Sequence, residues 1–289
     1  MIEALILLTL SLSTFGGSTL IIGWGPNSHV VMTKIALQRA DPNSIIVQRI
    51  NRYPDAFFCG LLFPDIAVLY YYTKFEEYQA THSWLFYKRL LEEAKNDEER
   101  VFAYGVACHL IQDCVAHNYY VPKKIRETKG SNYYTHPLVE AAVEKYYFDP
   151  TTSGALEVVD KFLPLANKVL GRDVSQVTYL FRDIVRAGGF YKDAYAPPTI
   201  PFWNLYEKAA GYMANLYGVD DHEEYIEMAI ELTVRFLNRG ETPALDPTGI
   251  RELMAATNFS NTFRFFLTFF MALGAGVAVI LTRKGREKW

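Results

Sequence analysis

The sequence predicts an all-α protein, and three observations lead to this fold class. From Trp24 onward, segments of helical length carry apolar residues on one face, as amphipathic helices do. Breaks such as Asp41-Pro42 and Asn96-Asp97 divide these segments from one another. No run of residues shows the clean alternation of apolar and polar side chains that is typical of a half-buried strand. We therefore expect a multi-helix bundle.

The composition is that of a globular or membrane-associated chain of 289 residues. Half of the residues are hydrophobic and 15% are aromatic, which excludes a disordered chain. The net charge of −3 provides no basic footprint, and this argues against a dedicated binder of duplex nucleic acid. The three cysteines are scattered in apolar runs, and an odd number predicts small core residues rather than a disulfide framework.

The predicted helices follow from signals at their ends. A serine begins the segment at 28–40, and Pro64 is expected to end the helix at 55–63. The polar stretch 123–134 predicts a loop, and the helix after it has a proline in its first turn. The predicted helices cover residues 28–40, 43–53, 55–63, 82–95, 99–122, 136–147, 155–170, 174–187, 202–217 and 221–238.

Both ends of the chain differ from its middle. An apolar leader that ends in small residues predicts a signal peptide, and an uncharged apolar stretch near the C-terminus predicts a single transmembrane helix. The basic tail after that helix is expected in the cytoplasm, which places the main domain on the extracytoplasmic side. The alternative is a buried C-terminal helix. The predicted division is 1–23 signal peptide, 24–239 helical domain, 240–262 tether, 263–282 transmembrane helix and 283–289 cytoplasmic tail.

One segment, residues 99–122, carries His109, Asp113 and His117, each four residues from the next. In a helix this spacing puts all three side chains on one face. Imidazole and carboxylate are the usual ligands of zinc. At about 1.5 Å per residue the two histidines lie roughly 12 Å apart, too far to share one ion. We therefore expect two metals, with the two oxygens of Asp113 able to bridge. The alternative is a buried helix with satisfied polar groups.

Further ligand-type residues support the metal interpretation. His29 and His82 lie in short helical contexts, and His136 precedes Glu140 by one helical turn. Asp65 is expected on a turn just past Pro64. So many polar side chains would be costly to bury in an apolar bundle without a partner, and metal binding removes that cost. His222, in an acidic run, is instead expected to be a solvated helix start.

Taken in order, these residues resemble the zinc-dependent phospholipase C superfamily. That superfamily also includes the single-strand-specific zinc nucleases of fungi and plants and the catalytic domain of glycosylphosphatidylinositol-specific phospholipase D. The resemblance covers roughly residues 24–145. Its motifs are Trp24-Gly25-x-x-x-His29, Pro64-Asp65, Thr81-His82-Ser83, His109-x3-Asp113-x3-His117 and His136-x3-Glu140.

The resemblance implies three zinc ions in an all-helical cleft. The first would be held by Asp65, His82, His109 and Asp113, and the second by His117, His136 and Glu140. The third would be held by His29, Asp113 and the free amine and carbonyl of Trp24. This last set requires cleavage after Gly23, and without cleavage two ions are expected. The resemblance also suggests that Asp65 orients or deprotonates the attacking water.

The sequence therefore predicts a membrane-anchored, zinc-dependent phospholipase C-like hydrolase. Clustered zinc ions suit phosphodiester hydrolysis because they activate water and neutralise phosphoryl oxygens. The anchor favours a phospholipid substrate, since it holds the cleft beside the bilayer. A zinc-dependent single-strand nuclease or nucleotidase is the alternative, and a non-catalytic, metal-stabilised surface protein is a second one. No Gly-x-Ser-x-Gly motif or Gly-rich phosphate loop supports another hydrolase or an NTPase.

Overall fold

The structure is a computed structural model. It describes most of the domain between the predicted signal peptide and the predicted transmembrane helix. The described residues are 24–71, 80–130, 135–144, 146–147, 151–176, 178–179, 182, 218 and 221–261. Regular structure in this part is helical, and it contains no strand, which confirms the all-α fold class there. The predicted signal peptide, transmembrane helix, cytoplasmic tail and helix at 202–217 lie outside the described residues. Among the helices that are described, none is both long and apolar enough to cross a bilayer.

Most of the predicted helices are present, with shifted ends. In chain order the helices are α1 (Pro26–Arg39), α2 (Ile45–Arg52), α3 (Pro54–Tyr71), α4 (Trp84–Glu93), α5 (Asp97–Val115), a π-helical turn (Ala116–Tyr120), α6 (Val121–Glu127), α7 (Thr135–Glu144), α8 (Thr151–Leu156), a 3-10 turn (Val159–Lys161), α9 (Leu163–Leu170), α10 (His222–Arg239) and α11 (Ile250–Ala256). The single helix predicted at 155–170 is divided, because a proline occupies the first turn of α9.

Helix α5 lies at the centre of the bundle, and every residue from Val101 to Val115 is buried. Helix α3 packs along it at close range. A Cβ atom added to Gly60 would lie 1.9 Å from the carbonyl oxygen of Phe102, and one added to Gly105 would lie 2.0 Å from that of Phe57. These two glycines allow the backbones to touch, which brings side chains of α3 and α5 into one site.

Helix α3 runs through Pro64, whereas the sequence predicted a helix end there and a turn at Asp65. That prediction is wrong. Proline removes one backbone hydrogen bond from a helix interior and disfavours helix at the residue before it. The close packing of α3 on α5 outweighs this local cost, since tertiary contacts routinely override propensity. Asp65 is therefore a buried residue of a helix and does not lie on a turn.

The chain continues as helix beyond Val115, although residues 123–134 were predicted to form a loop. Residues 123–127 belong to α6, whose first turn contains Pro122, so the loop prediction is wrong for this part. A π-helical turn joins α5 to α6. The side chain of Asn118 donates a hydrogen bond to the carbonyl of Cys114 at 2.9 Å. That bond provides a partner where the regular helical ladder changes, and π-turns of this kind are frequent at functional sites.

The segment predicted as a tether, residues 240–262, is placed differently over its described part. Residues 245–249 lie against α4 and the π-helical turn. The indole Nε1 of Trp84 donates to the carbonyl oxygen of Leu245 at 2.7 Å, and the Asn118 side chain donates to that of Asp246 at 2.8 Å. Helix α11 follows and buries Leu253. This stretch is part of the folded domain because its backbone carbonyls accept hydrogen bonds from half-buried side chains of other elements.

His222 begins α10, as expected, but its side chain is buried rather than solvated. Its ring stacks on that of Tyr146 with 5.0 Å between centroids and meets Tyr147 edge to face. The preceding Asp221 forms ion pairs with Lys123 and Lys124 at 2.6 Å and 2.7 Å. These lysines contact Asp221, whereas Glu223 and Glu224 are exposed. His222 itself is buried, so the prediction of a solvated residue is wrong.

Candidate metal centre

Eight buried side chains of the types that bind zinc converge in the bundle. Within the described residues they form three groups whose ligand atoms lie within 4.8 Å of one another. The groups are His29, Asp65 and His109; His82, His109 and Asp113; and His117, His136 and Glu140. These are the eight side chains singled out from the sequence. They come from α1, α3, α5, the π-helical turn, α7 and the residues before α4, so the tertiary fold assembles the site.

Asp113 belongs to the second group and also approaches His29 of the first, so its two oxygens face different partners. Oδ1 is 3.5 Å from Nε2 of His29, whereas Oδ2 is 3.0 Å from Nε2 of His109 and 3.5 Å from Nε2 of His82. Asp65 completes the set from α3, with Oδ1 3.6 Å from His109 and 3.7 Å from His82. This is the geometry of a carboxylate that can bridge two ions.

The distances between these atoms fit a zinc ion. Two ligands in a tetrahedral site with bonds of ~2.1 Å are separated by about 3.4 Å. His82 and His109 approach each other at 3.3 Å between their Nε2 atoms, and the nitrogen–oxygen separations given above lie between 3.0 and 3.7 Å. The residues present therefore suit the metal chemically and in spacing.

The third group lies just beyond the C-terminal end of α5. Nε2 of His117 is 3.4 Å from Oε1 of Glu140, and Nε2 of His136 is 2.6 Å from the same oxygen. His117 belongs to the π-helical turn, so its direction is set by that wider turn and not by a continuous α-helix. His136 and Glu140 are one turn apart on α7, as their spacing predicted.

Hydrogen bonds fix which ring nitrogen of three histidines is free to bind a metal. Nδ1 of His109 donates to the carbonyl of Leu61 at 2.9 Å, and Nδ1 of His117 donates to that of Pro247 at 2.7 Å. Nδ1 of His29 donates to the side-chain oxygen of Gln112 at 2.6 Å. A carbonyl can only accept, so each neutral ring keeps its lone pair on Nε2. Such outer partners are a general feature of metal-binding histidines.

Several of the ligand atoms that face one another in these groups are acceptors without a donor among the described residues. Among the described residues, hydrogen-bond partners are absent for Nε2 of His29 and His117, both carboxylate oxygens of Asp65 and Asp113, and Oε2 of Glu140. Buried polar groups are nearly always paired, and lone pairs that face each other at about 3 Å repel. A cation among them resolves both problems, and this is the observation on which the metal assignment rests.

The titration behaviour of these side chains follows from the same crowding. Burial, with His109 nearby, lowers the pKa of His29 to about 4. Burial also acts to lower the pKa of His109, but Asp113 and Asp65 outweigh it and raise that pKa to about 9. Burial raises the pKa of Glu140 well above its usual value, and Asp113 adds to the effect. In the absence of a metal, the surroundings thus disfavour a negative charge on Glu140 and favour a positive charge on His109.

Trp24 is fully buried beside this site. Its indole Nε1 donates to the backbone carbonyl of Gln112 at 3.2 Å, and its ring stacks on Tyr120 with 5.1 Å between centroids. The resemblance assigned a metal-binding role to its backbone amine and carbonyl, not to the indole. That role, and the cleavage after Gly23 that it needs, stay predictions.

Sequence reasoning missed the partners that orient the histidines. Gln112 lies three residues after His109, and its amide also donates to Thr33 at 2.8 Å, so its polar character on a buried helix was a usable signal. The carbonyls of Leu61 and Pro247 had no signal in the sequence, because every residue carries a carbonyl and only folding selects which ones reach an imidazole.

Comparison with known proteins gives one finding. A family model described as zinc dependent phospholipase C matches residues 28–172, which include the eight side chains of the three groups. Neither a curated protein nor a solved structure matches the chain.

Proposed function

The chain belongs to the zinc-dependent phospholipase C family, and we propose that it hydrolyses a phosphodiester bond of phospholipids. The observation that supports this proposal is the set of converging, unpaired acceptor atoms around Asp113. A site of that kind holds positive charge in a buried place, which is what a negatively charged diester needs in order to be attacked.

Two sets of residues would bind zinc at two ends of one site. Asp65, His82, His109 and Asp113 would hold zinc at one end, with His29 beyond Asp113, and the third group would hold it at the other. When bound, zinc would neutralise phosphoryl oxygens and lower the pKa of a water molecule toward about 7. The expected number is three ions, or two if the chain is not cleaved before Trp24.

Asp65 is the residue best placed to manage the proton of the attacking water. It retains 4% of its surface exposure and Glu140 retains 2%, whereas the six other side chains of the three groups have none. Oδ1 of Asp65 faces His82 and His109, and Oδ2 has no hydrogen-bond partner among the described residues. Both oxygens of Asp65 are buried, and a carboxylate with an unpaired oxygen would be able to orient a water molecule and accept its proton.

We further propose that the domain faces outward from a membrane, held there by the apolar stretch at 263–282 after removal of residues 1–23. This arrangement would keep the site beside lipid head groups. Mass spectrometry of the mature protein should find Trp24 at its N-terminus. A mature chain that begins upstream would remove the amine ligand of the third expected ion.

A paired assay tests the substrate class. The purified mature chain would be given phospholipid vesicles in one arm, with released phosphorylated head group as readout, and single-stranded DNA in the other, with soluble nucleotides as readout. We expect head-group release. Asp65→Asn should lower kcat by about 100-fold to 10,000-fold if this carboxylate acts as a base. Asp55→Asn, which alters an exposed carboxylate of α3, is the matched control and should have wild-type activity.

The other outcomes separate the alternatives. Nucleotide release without head-group release would assign the chain to the nuclease branch of the superfamily. The spacing between Trp24 and His29 also resembles the spacing in that branch. Full zinc content with no hydrolysis in either arm would indicate a metal-stabilised surface protein and overturn the proposal.

A further inference from the structure

We propose that Glu144 is a positioning residue, which holds the N-terminal end of α1 so that His29 reaches the metal centre. The proposal rests on the zinc-binding role given above, and it assigns a function to a carboxylate outside the three groups. Glu144 is the last residue of α7, four residues beyond Glu140 and therefore on the same side of that helix.

Helix α1 begins without a side-chain cap of its own. Its N-cap residue is Gly25, which has no side chain, and Pro26 has no N–H to be satisfied. The next two backbone N–H groups, those of Asn27 and Ser28, donate instead to Glu144 at 2.7 Å and 3.0 Å. Glu144 thus supplies from another helix the cap that α1 lacks, and its negative charge lies at the positive end of the helix dipole.

The side chains of the same two residues complete the contact. Nδ2 of Asn27 donates to Oε1 of Glu144 at 2.8 Å, and Oγ of Ser28 donates to Oε2 at 2.7 Å. Each carboxylate oxygen therefore accepts two hydrogen bonds. Asn27 and Ser28 are 2% and 0% exposed, so water could not readily replace these bonds. Hydrogen bonds to an ionised carboxylate are stronger than those between neutral groups.

This clamp joins the two ends of the metal centre. His29 follows Ser28 directly, and its Nε2 is 3.5 Å from Oδ1 of Asp113. Helix α7 carries His136 and Glu140 of the third group as well as Glu144. If Glu144 released α1, the first turn of α1 would lose the bonds that satisfy its N–H groups, and His29 lies in that turn. The third group would keep its ligands.

Gly25 shows how closely the carboxylate approaches the chain. A Cβ atom built at Gly25 would lie 2.4 Å from Cδ and from Oε2 of Glu144. The backbone of Gly25 has φ −60°, which alanine adopts freely. Gly25→Ala therefore should displace the carboxylate without removing it, and this variant tests the clamp from its opposite side.

The test measures zinc content and zinc affinity of the full chain by metal analysis across a series of buffered zinc concentrations. His29→Ala defines the zinc binding that depends on His29. Glu144→Gln and Gly25→Ala should each weaken that same binding by about 10-fold to 100-fold, the range found for outer partners of metal ligands. The double variant Glu144→Gln, His29→Ala should bind zinc no more weakly than His29→Ala alone, because Glu144 acts through His29.

Asn96→Ala is the matched control for the loss of a helix cap. Its side chain accepts from the N–H of Glu99 at 2.8 Å at the exposed start of α5, away from the three groups. This variant should lower the melting temperature and leave zinc affinity unchanged. Zinc affinity equal to wild type in Glu144→Gln would overturn the proposal. So would additive losses in the double variant, since a merely structural role predicts them.

Zinc affinity is measured without any substrate, so the role of Glu144 can be tested separately from hydrolysis. Wild-type protein that binds zinc but hydrolyses neither substrate would end the hydrolase proposal and leave the role of Glu144 supported by its zinc data. Conversely, if the enzyme is active and Glu144→Gln binds zinc as tightly as the wild type, only the positioning proposal would end.

Discussion

Replacing Asp113 with asparagine removes the group that connects two parts of the centre. The change keeps the side-chain volume but deletes a buried negative charge and exchanges one oxygen for an N–H donor. Burial alone would raise the pKa of Asp113, yet His109 and His117 outweigh it and hold that pKa well below its usual range. The carboxylate is therefore ionised in the native site, and the neutral amide of the Asp113→Asn variant would present a weaker ligand to both flanking groups.

The size of the effect follows from linkage. An ion present at about 1,000 times its dissociation constant stabilises the fold by about 4.1 kcal/mol. For a domain of this size each change of about 1 kcal/mol shifts the melting temperature by about 2–4 °C, so removal of that ion should lower it by about 8–16 °C. If Asp113→Asn weakens binding about 100-fold, the same ion contributes only about 1.4 kcal/mol, or roughly 3–6 °C.

The assay is thermal unfolding of both proteins with and without a chelator, together with zinc analysis of each. We expect the chelator to shift the wild type strongly and the Asp113→Asn variant weakly, with fewer zinc ions retained by the variant. Asp55→Asn, which changes an exposed carboxylate, should behave as wild type. An Asp113→Asn protein with wild-type zinc content and an undiminished response to the chelator would refute the bridging role.

Two further predictions concern packing and pH. Gly249 has φ +50°, and a Cβ there would meet the backbone of His117 at 2.4 Å, so Gly249→Ala should both destabilise the fold and weaken zinc binding. Gly171→Ala, at φ +67° with nothing within 4 Å, should cost only the left-handed backbone strain of about 1–2 kcal/mol, and urea unfolding with zinc analysis compares the two. In the zinc-free protein, His29 binds a proton only below about pH 4 when folded, but below 6.5 when unfolded, so its contribution to stability is lost as pH falls from 6.5 to 4. His109, whose pKa is raised to about 9, contributes below pH 6.5 and loses that contribution as pH rises to 9. Unfolding of the chelated protein across pH should therefore show highest stability near pH 6.5, and a curve without losses on both sides would contradict these assignments.

The sequence by itself determined the fold class of the described part and the residues of the site. Spacing of four residues is a property of one helix, so His109, Asp113 and the pair His136 and Glu140 could be placed without any tertiary information. The expectation that Asp113 can bridge also followed from spacing, because a carboxylate has two oxygens and its neighbours lie on either side.

Only the tertiary structure decided what depends on contacts between distant parts of the chain. Local sequence signals predicted that a helix ends at Pro64. In the structure the helix continues past Pro64, because α3 packs closely on α5. The same signals predicted a tether at residues 240–262. In the structure the carbonyl of Pro247, within that segment, accepts a hydrogen bond from His117 and orients its ring. The clamp of Glu144 on α1 joins residues more than a hundred positions apart. Such partners are backbone groups or common side chains, and folding alone selects which of them meet.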